Sequence, residues 1–235
     1  MVFPLYDDNP FKLPVPPIVT WGLIALNILI FLVQISSGPE TAVGIVASFA
    51  ATPATLSGAE PAGGSVPAPL TLLTSMFLHG GWMHIIGNMV FLWAFGPAIE
   101  DAMGHLRYLV FYLLGGVVAA LAQIAAASTS TVPSLGASGA IAAVMGAFLI
   151  TYPRDRIRTL LFLGWFIQVT VLPASLLIGI WFVIQLFSQV GSVVTTQSGQ
   201  SGGVAYMAHI GGLIFGFVTA RLFEDSRRIA AQTLE

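Results

Sequence analysis

The 235-residue chain contains no cysteine, and only 8% of its residues are charged. Without thiols there is no disulfide, no thiolate zinc site and no cysteine nucleophile. A soluble domain carries roughly 25% charged residues, so this chain cannot cover itself with a hydrated surface. The formal net charge of −2 gives no reason to expect a nucleic-acid partner. Basic residues are scarce at the start, where Asp7, Asp8, Asn9 and Lys12 stand among several prolines. That opening lacks the basic stretch and cleavage site of a signal peptide, so the first apolar run is expected to stay as an anchor.

What is present is apolar length: 56% of the residues are hydrophobic. We read an all-α membrane protein, a six-helix transmembrane bundle in one polytopic domain over 18–224. Residues 1–17 are a Pro-rich cytoplasmic segment and 225–235 a charged cytoplasmic tail. The spans are placed at 18–35, 82–103, 106–127, 138–152, 172–188 and 204–223. Asn27 in the first is expected to make a helix–helix hydrogen bond. The loop over 36–81 is too apolar for a plain linker, and part of it should lie in the membrane interface. The fourth span has only about 15 residues, too few to cross the hydrocarbon. Its N-terminus must therefore start inside the protein, in a water-filled recess. The apolar run 160–170 is read as an interfacial excursion.

The placement of positive charge supports this count. All eight Lys and Arg lie at 12, 107, 154, 156, 158, 221, 227 and 228. With six spans, every one falls on the side of the N-terminus, so both termini are expected in the cytoplasm. A seventh span at 160–170 would send the last three outside. A prokaryotic cytoplasmic membrane is the expected setting, with membrane lipid as an obligatory partner.

Two short stretches carry the chemistry: Gly136-Ala137-Ser138-Gly139 and Ala208-His209-Ile210-Gly211-Gly212. Ser138 opens a short helix, whose unpaired N–H groups suit an anionic oxygen. Alone, this stretch would be read as small residues that let helices pack. His209 changes that reading, because an ionisable residue inside a span is a functional candidate by default. Gly212 and Gly216 share its helical face, and Gly139, Ala142, Ala143 and Gly146 form a matching stripe on the fourth span. Docking the stripes would bring His209 beside Ser138. His84 and Asn88, four apart on one face, can both donate to an oxyanion. His79 reads as fixing the long loop. Gly96, Glu100 and Gly104 form a ladder at the inner end of the second span, with Glu100 in a structural role as a hydrogen-bond acceptor. Zinc on His79, His84 and His209 is the chemical rival. No carboxylate lies near the outer half of the spans and no His-Glu-x-x-His occurs, so neither metal nor cofactor is expected. The same lack leaves a Ser–His dyad without a visible triad acid.

Four motifs in order resemble the rhomboid family of intramembrane serine proteases: His79-x4-His84-x3-Asn88, Gly96-x3-Glu100-x3-Gly104, Gly136-Ala137-Ser138-Gly139, and Ala208-His209-x2-Gly212-x3-Gly216. The resemblance implies Ser138 as nucleophile and His209 as general base. It implies an oxyanion hole from His84, Asn88 and the Ser138 N–H, and single-span transmembrane proteins as substrates. Two features depart from the pattern. The first loop has no Trp-Arg pair, and Ala142 stands where some members place a tyrosine against the histidine. Gly191 to Gly203 reads as a flexible cap over the site. The alternative is a non-catalytic rhomboid-like factor that binds membrane proteins for quality control; loss of Ser138 or His209 would be its mark, and both are present. A transporter would call for inverted repeats and paired broken helices, whereas one short helix and no repeat are found. Nothing in the sequence specifies an oligomeric state.

Overall fold

The computed structural model describes residues 2–7, 16–60, 64–163, 166–183 and 206–233. In chain order it begins with β1 (Val2–Asp7), α1 (Ile18–Ser36), α2 (Pro39–Phe49), α3 (Pro53–Leu56) and α4 (Ala68–Thr74). A 3-10 turn (Ser75–Phe77) leads to α5 (Trp82–Met103), α6 (His105–Ala126) and α7 (Ser138–Thr151). Then come β2 (Arg156–Leu163), β3 (Phe166–Pro173), α8 (Ala174–Val183), α9 (Tyr206–Phe223) and α10 (Ser226–Thr233). Among the described residues, α1, α5, α6 and α9 are long and apolar enough to cross a membrane, and this is an integral membrane protein. The end of the expected fifth span and the expected cap at 191–203 lie outside the described residues.

Helix α1 shows how a membrane reverses the usual pattern. Thr20, Asn27 and Gln34 recur every seventh residue and are buried, whereas Leu26, Leu29, Leu32 and Val33 are exposed. In hydrocarbon, polar side chains must find partners within the protein. Gln34 Nε2 donates to the His79 carbonyl at 2.9 Å, and its Oε1 accepts from the His79 N–H at 3.3 Å. Asn27 Nδ2 donates to Leu23 O of its own helix at 2.7 Å, one turn back, instead of crossing to a neighbour as expected.

Glu100 is buried near the C-terminal end of α5 and caps α1 from a distance. Pro17 offers no capping side chain, and the first-turn N–H groups of Val19 and Thr20 donate instead to Glu100 Oε1 and Oε2, at 2.8 and 2.7 Å. Thr20 Oγ1 adds a third bond at 2.7 Å, and His105 Nδ1 lies 2.6 Å from Oε1. A carboxylate at a helix N-terminus is favoured by both charge and hydrogen bonding. The helices can meet there because a Cβ on Gly96 would lie 2.8 Å from Thr20 Cγ2 and 2.9 Å from the Tyr108 hydroxyl. Gly104, at φ +78°, makes the turn into α6.

At the centre stands α7, with every residue from Gly139 to Phe148 buried. Its 14 residues rise about 21 Å, well short of the roughly 30 Å hydrocarbon core. Its most extensive packing is on α9. The stripes anticipated from glycine spacing meet: a Cβ on Gly212 would strike the Gly139 carbonyl, one on Gly216 the Ala143 carbonyl, and one on Gly146 the Leu213 carbonyl.

Two departures from an all-helical reading lie on the arginine-rich side. The run 160–170, read as an interfacial excursion, is part of a β2–β3 hairpin, in which Leu163 pairs with Phe166. The Pro-rich N-terminal segment contributes β1, antiparallel to β2, and closes a three-stranded sheet of order β1-β2-β3. The cause is period-two burial, with Ile157 and Thr159 fully buried and alternating with the exposed Arg156 and Arg158. The charged tail also has structure: α10 packs on α5, and Arg228 Nη1 approaches Asp101 Oδ1 at 3.5 Å.

Replacing Glu100 with alanine would leave the Val19 and Thr20 N–H groups without an acceptor, at about 1–3 kcal/mol per buried donor. Thermal unfolding in detergent should show a clearly lowered Tm for Glu100→Ala and a smaller loss for Glu100→Gln, which keeps one oxygen. Equal Tm for all three proteins would mean that the cap does not hold α1.

Candidate active site

Ser138 begins α7 where the chain makes a glycine-dependent turn. Gly136 has φ +121°, and its N–H donates to Ser75 O at 2.9 Å. The segment before α7 is also paired with the long first loop through Ala51 and Ser134, whose N–H groups donate to each other's carbonyls at 3.0 and 2.8 Å. The loop between α1 and α5 thus sets the entry of α7. The first intrahelical bond runs from Ile141 N to Ala137 O, so helix geometry leaves the N–H groups of Ser138, Gly139 and Ala140 without an intrahelical acceptor.

From the neighbouring helix, His209 reaches Ser138. Its Nε2 lies 2.6 Å from Ser138 Oγ, although the two residues are 71 apart in sequence. His209 is 6% exposed. Its ring is flanked by Trp181 of α8, with centroids 5.4 Å apart and planes tilted 45°, and by Tyr206 edge-on at 6.5 Å. These aromatics occupy the ring's surroundings in a protein that has Ala142 at the family's tyrosine position.

His84 and Asn88 face the turn from α5. A Cβ on Gly136 would lie 2.8 Å from His84 Nε2 and 3.6 Å from Asn88 Nδ2. Only glycine combines this backbone angle with this approach. His84 Nδ1 accepts the Gly80 N–H at 3.3 Å, so a neutral ring carries its proton on Nε2, toward the turn. Asn88 is 8% exposed, and its Nδ2 is a buried donor with no acceptor among the described residues. A small recess lies against Ser138, lined by small residues such as Gly116, Ala119, Gly139 and Ala208.

His79 plays a different part. Its backbone is clamped by Gln34, and its ring stands edge-on to Phe31 and to His84. Burial, and then the nearby His84, hold its imidazole down at about 4. Among the described residues, no three His, Cys, Asp or Glu side chains gather as a ligand set, so the three imidazoles of the zinc reading do not converge.

Sequence reasoning did not single out Gln34, Ser75, Trp181 or Tyr206. For Gln34 a signal existed, namely its seven-residue spacing from Asn27 and Thr20. The other three act through tertiary placement alone.

The model of the Rhomboid domain matches residues 68–225. The chain is 31% identical over 205 residues to Rhomboid protease GluP of Bacillus subtilis, covering 87% of this chain and 34% of GluP. It is 34% identical over 173 residues to Rhomboid-like protease 5 of Toxoplasma gondii, covering 68% of this chain and 18% of that protein. A third relative is the Presenilin-associated rhomboid-like protein, mitochondrial, of Homo sapiens, 31% identical over 148 residues, with 62% of this chain and 35% of that one covered. The chain thus spans about a third or less of the length of these relatives. With the match running from the start of α4 to just past α9, the chain belongs to the rhomboid family.

Proposed function

We propose that this protein is an intramembrane serine endopeptidase that cuts transmembrane or juxtamembrane segments of other membrane proteins. The observation that carries the reading is the 2.6 Å approach of His209 Nε2 to Ser138 Oγ, at the buried start of a helix too short to span. A serine hydroxyl is a weak nucleophile until a base takes its proton. In this mechanism Ser138 Oγ attacks the scissile carbonyl carbon while its proton passes to His209 Nε2. The carbonyl oxygen becomes an oxyanion, held by the Ser138 N–H, His84 Nε2 and Asn88 Nδ2. Collapse breaks the C–N bond, and His209 returns the proton to the leaving amine. A water then hydrolyses the acyl-enzyme by the same two steps, which regenerates both side chains.

A peptide bond inside a helix is shielded by its own hydrogen bonds, so a substrate must locally unwind to reach Ser138. Single-span proteins with small residues at the cut and a helix-weakening stretch nearby suit this requirement and the small-residue lining of the recess. The six-span arrangement, with both termini cytoplasmic, belongs to the same proposal and rests on the placement of the eight basic residues. Relatives named for mitochondria stand beside a bacterial one, so the comparisons do not favour the prokaryotic cytoplasmic membrane expected from sequence.

Ser138→Ala and His209→Ala should each abolish cleavage of a reconstituted transmembrane substrate with Tm unchanged. The double variant should be no worse, since the pair acts as a unit. A fluorophosphonate probe should label the native protein and not Ser138→Ala. Cleavage at the native rate by either variant would sink the mechanism, and absence of labelling and cleavage in the native protein would favour the non-catalytic binding factor.

Loss of one oxyanion donor typically costs about 2.7–4 kcal/mol, or roughly a hundred- to a thousandfold in rate. His84→Ala should lower kcat within that range, and Asn88→Ala should lower it less, because the α7 N–H groups and entering water compensate. Neither should change KM much, whereas His79→Ala should act on Tm through the loop. A raised KM at constant kcat would make His84 and Asn88 substrate contacts and leave the oxyanion to backbone N–H groups.

A further inference from the structure

The three-stranded sheet turns an apolar face outward. Residues paired across strands share a face, so Arg156, Arg158 and Leu160 of β2 align with Val171 and Val169 of β3 and with Tyr6 of β1. Ile157 and Thr159 occupy the opposite, buried face. On the outward face Ile167 is 64% and Val169 55% exposed, with Tyr6 and Val171 also exposed. A sheet with one face in water places polar residues there; this outward face instead exposes Tyr6, Ile167, Val169 and Val171 beside its two arginines.

The basic residues are grouped at one end of that row. Arg154 and Arg156 are exposed, and the Arg158 guanidinium lies over the Tyr6 ring, 5.6 Å from its centroid. Asp7 is in register with Ile157 and thus on the other face, and Asp155 stands between Arg154 and Arg156 in sequence. Strand β3 passes directly into α8, whose Leu176, Ile180 and Val183 are exposed as lipid-facing residues are. An apolar surface edged by arginine is the composition of elements that lie in the headgroup–acyl boundary, where arginine stems cover apolar surface and the guanidinium reaches the phosphate.

We propose that the outward face of this sheet is seated in the bilayer interface and selects anionic lipid, with Arg154 and Arg156 holding the headgroup phosphate. The inference is independent of peptidase activity. Each arginine near an anionic surface contributes a preference of about fivefold. Because the chain has no cysteine, Val169→Cys gives one labelling site for a fluorophore on the full-length protein in vesicles. Brominated phosphatidylcholine should quench the label, and brominated phosphatidylglycerol should compete for the site about fivefold or more better. In Arg154→Gln/Arg156→Gln, quenching should persist while the preference falls to near unity. Quenching by aqueous iodide with none by brominated lipid would overturn the proposal, placing the face in water. Disulfide-linked dimers of the unlabelled Val169→Cys protein, with lipid quenching lost at high protein-to-lipid ratio, would overturn it in favour of a second copy. Lipid quenching with no preference in the otherwise native chain would overturn the anionic selection.

Discussion

Backbone contact between α7 and α9 is the constraint on which the rest of the structure depends. Lipid offers no hydrophobic force to press two apolar helices together, so association relies on close packing and hydrogen bonds. Gly146, Gly212 and Gly216 let each helix approach the other's carbonyls more closely than any side chain would allow. That approach stacks Ser138 at the start of α7 against His209 on α9. A methyl group at Gly212 would displace the Gly139 carbonyl, one residue from the serine. The reacting geometry is therefore a direct consequence of how near the two helices come.

Around this seam, three polar links tie distant segments together. Gln34 clamps the backbone of His79, Glu100 caps α1 from α5, and the Ala51–Ser134 pairing ties the first loop to the entry of α7. All three link segments distant in the chain. Together they fix α1, α5 and the first loop against the central helix. The site is built from α5, α7, α9 and the first loop. Helix α8 touches it through the contact of Trp181 with His209.

Two buried features match a visiting carbonyl oxygen. Asn88 Nδ2 donates to nothing among the described residues, and α7 starts with N–H groups lacking intrahelical acceptors. A buried donor without a partner is costly to a fold. Its presence beside a serine–histidine pair is understandable where an acceptor arrives with the substrate, which links the cost to the proposed chemistry.

Some of this was legible in the amino-acid order alone. The long helices lie in apolar runs with few charges, and run length is a local property. The glycine stripes followed from spacing, because residues three and four apart share a helical face. Ser138 and His209 stood out because ionisable and nucleophilic side chains are rare in such runs. The sheet did not stand out, since a short apolar run reads alike as strand or buried helix, and β1 meets its partner some 150 residues later. The partner of Asn27 was misjudged because its own helix offers a carbonyl one turn back. The sequence by itself determined that this is a membrane protein with a serine and a histidine on glycine-lined helices. Only the tertiary structure decided that the two meet at 2.6 Å, that Trp181 and Tyr206 flank the ring, and that a sheet caps one end. Those are relations between distant segments, set by packing that no local pattern encodes.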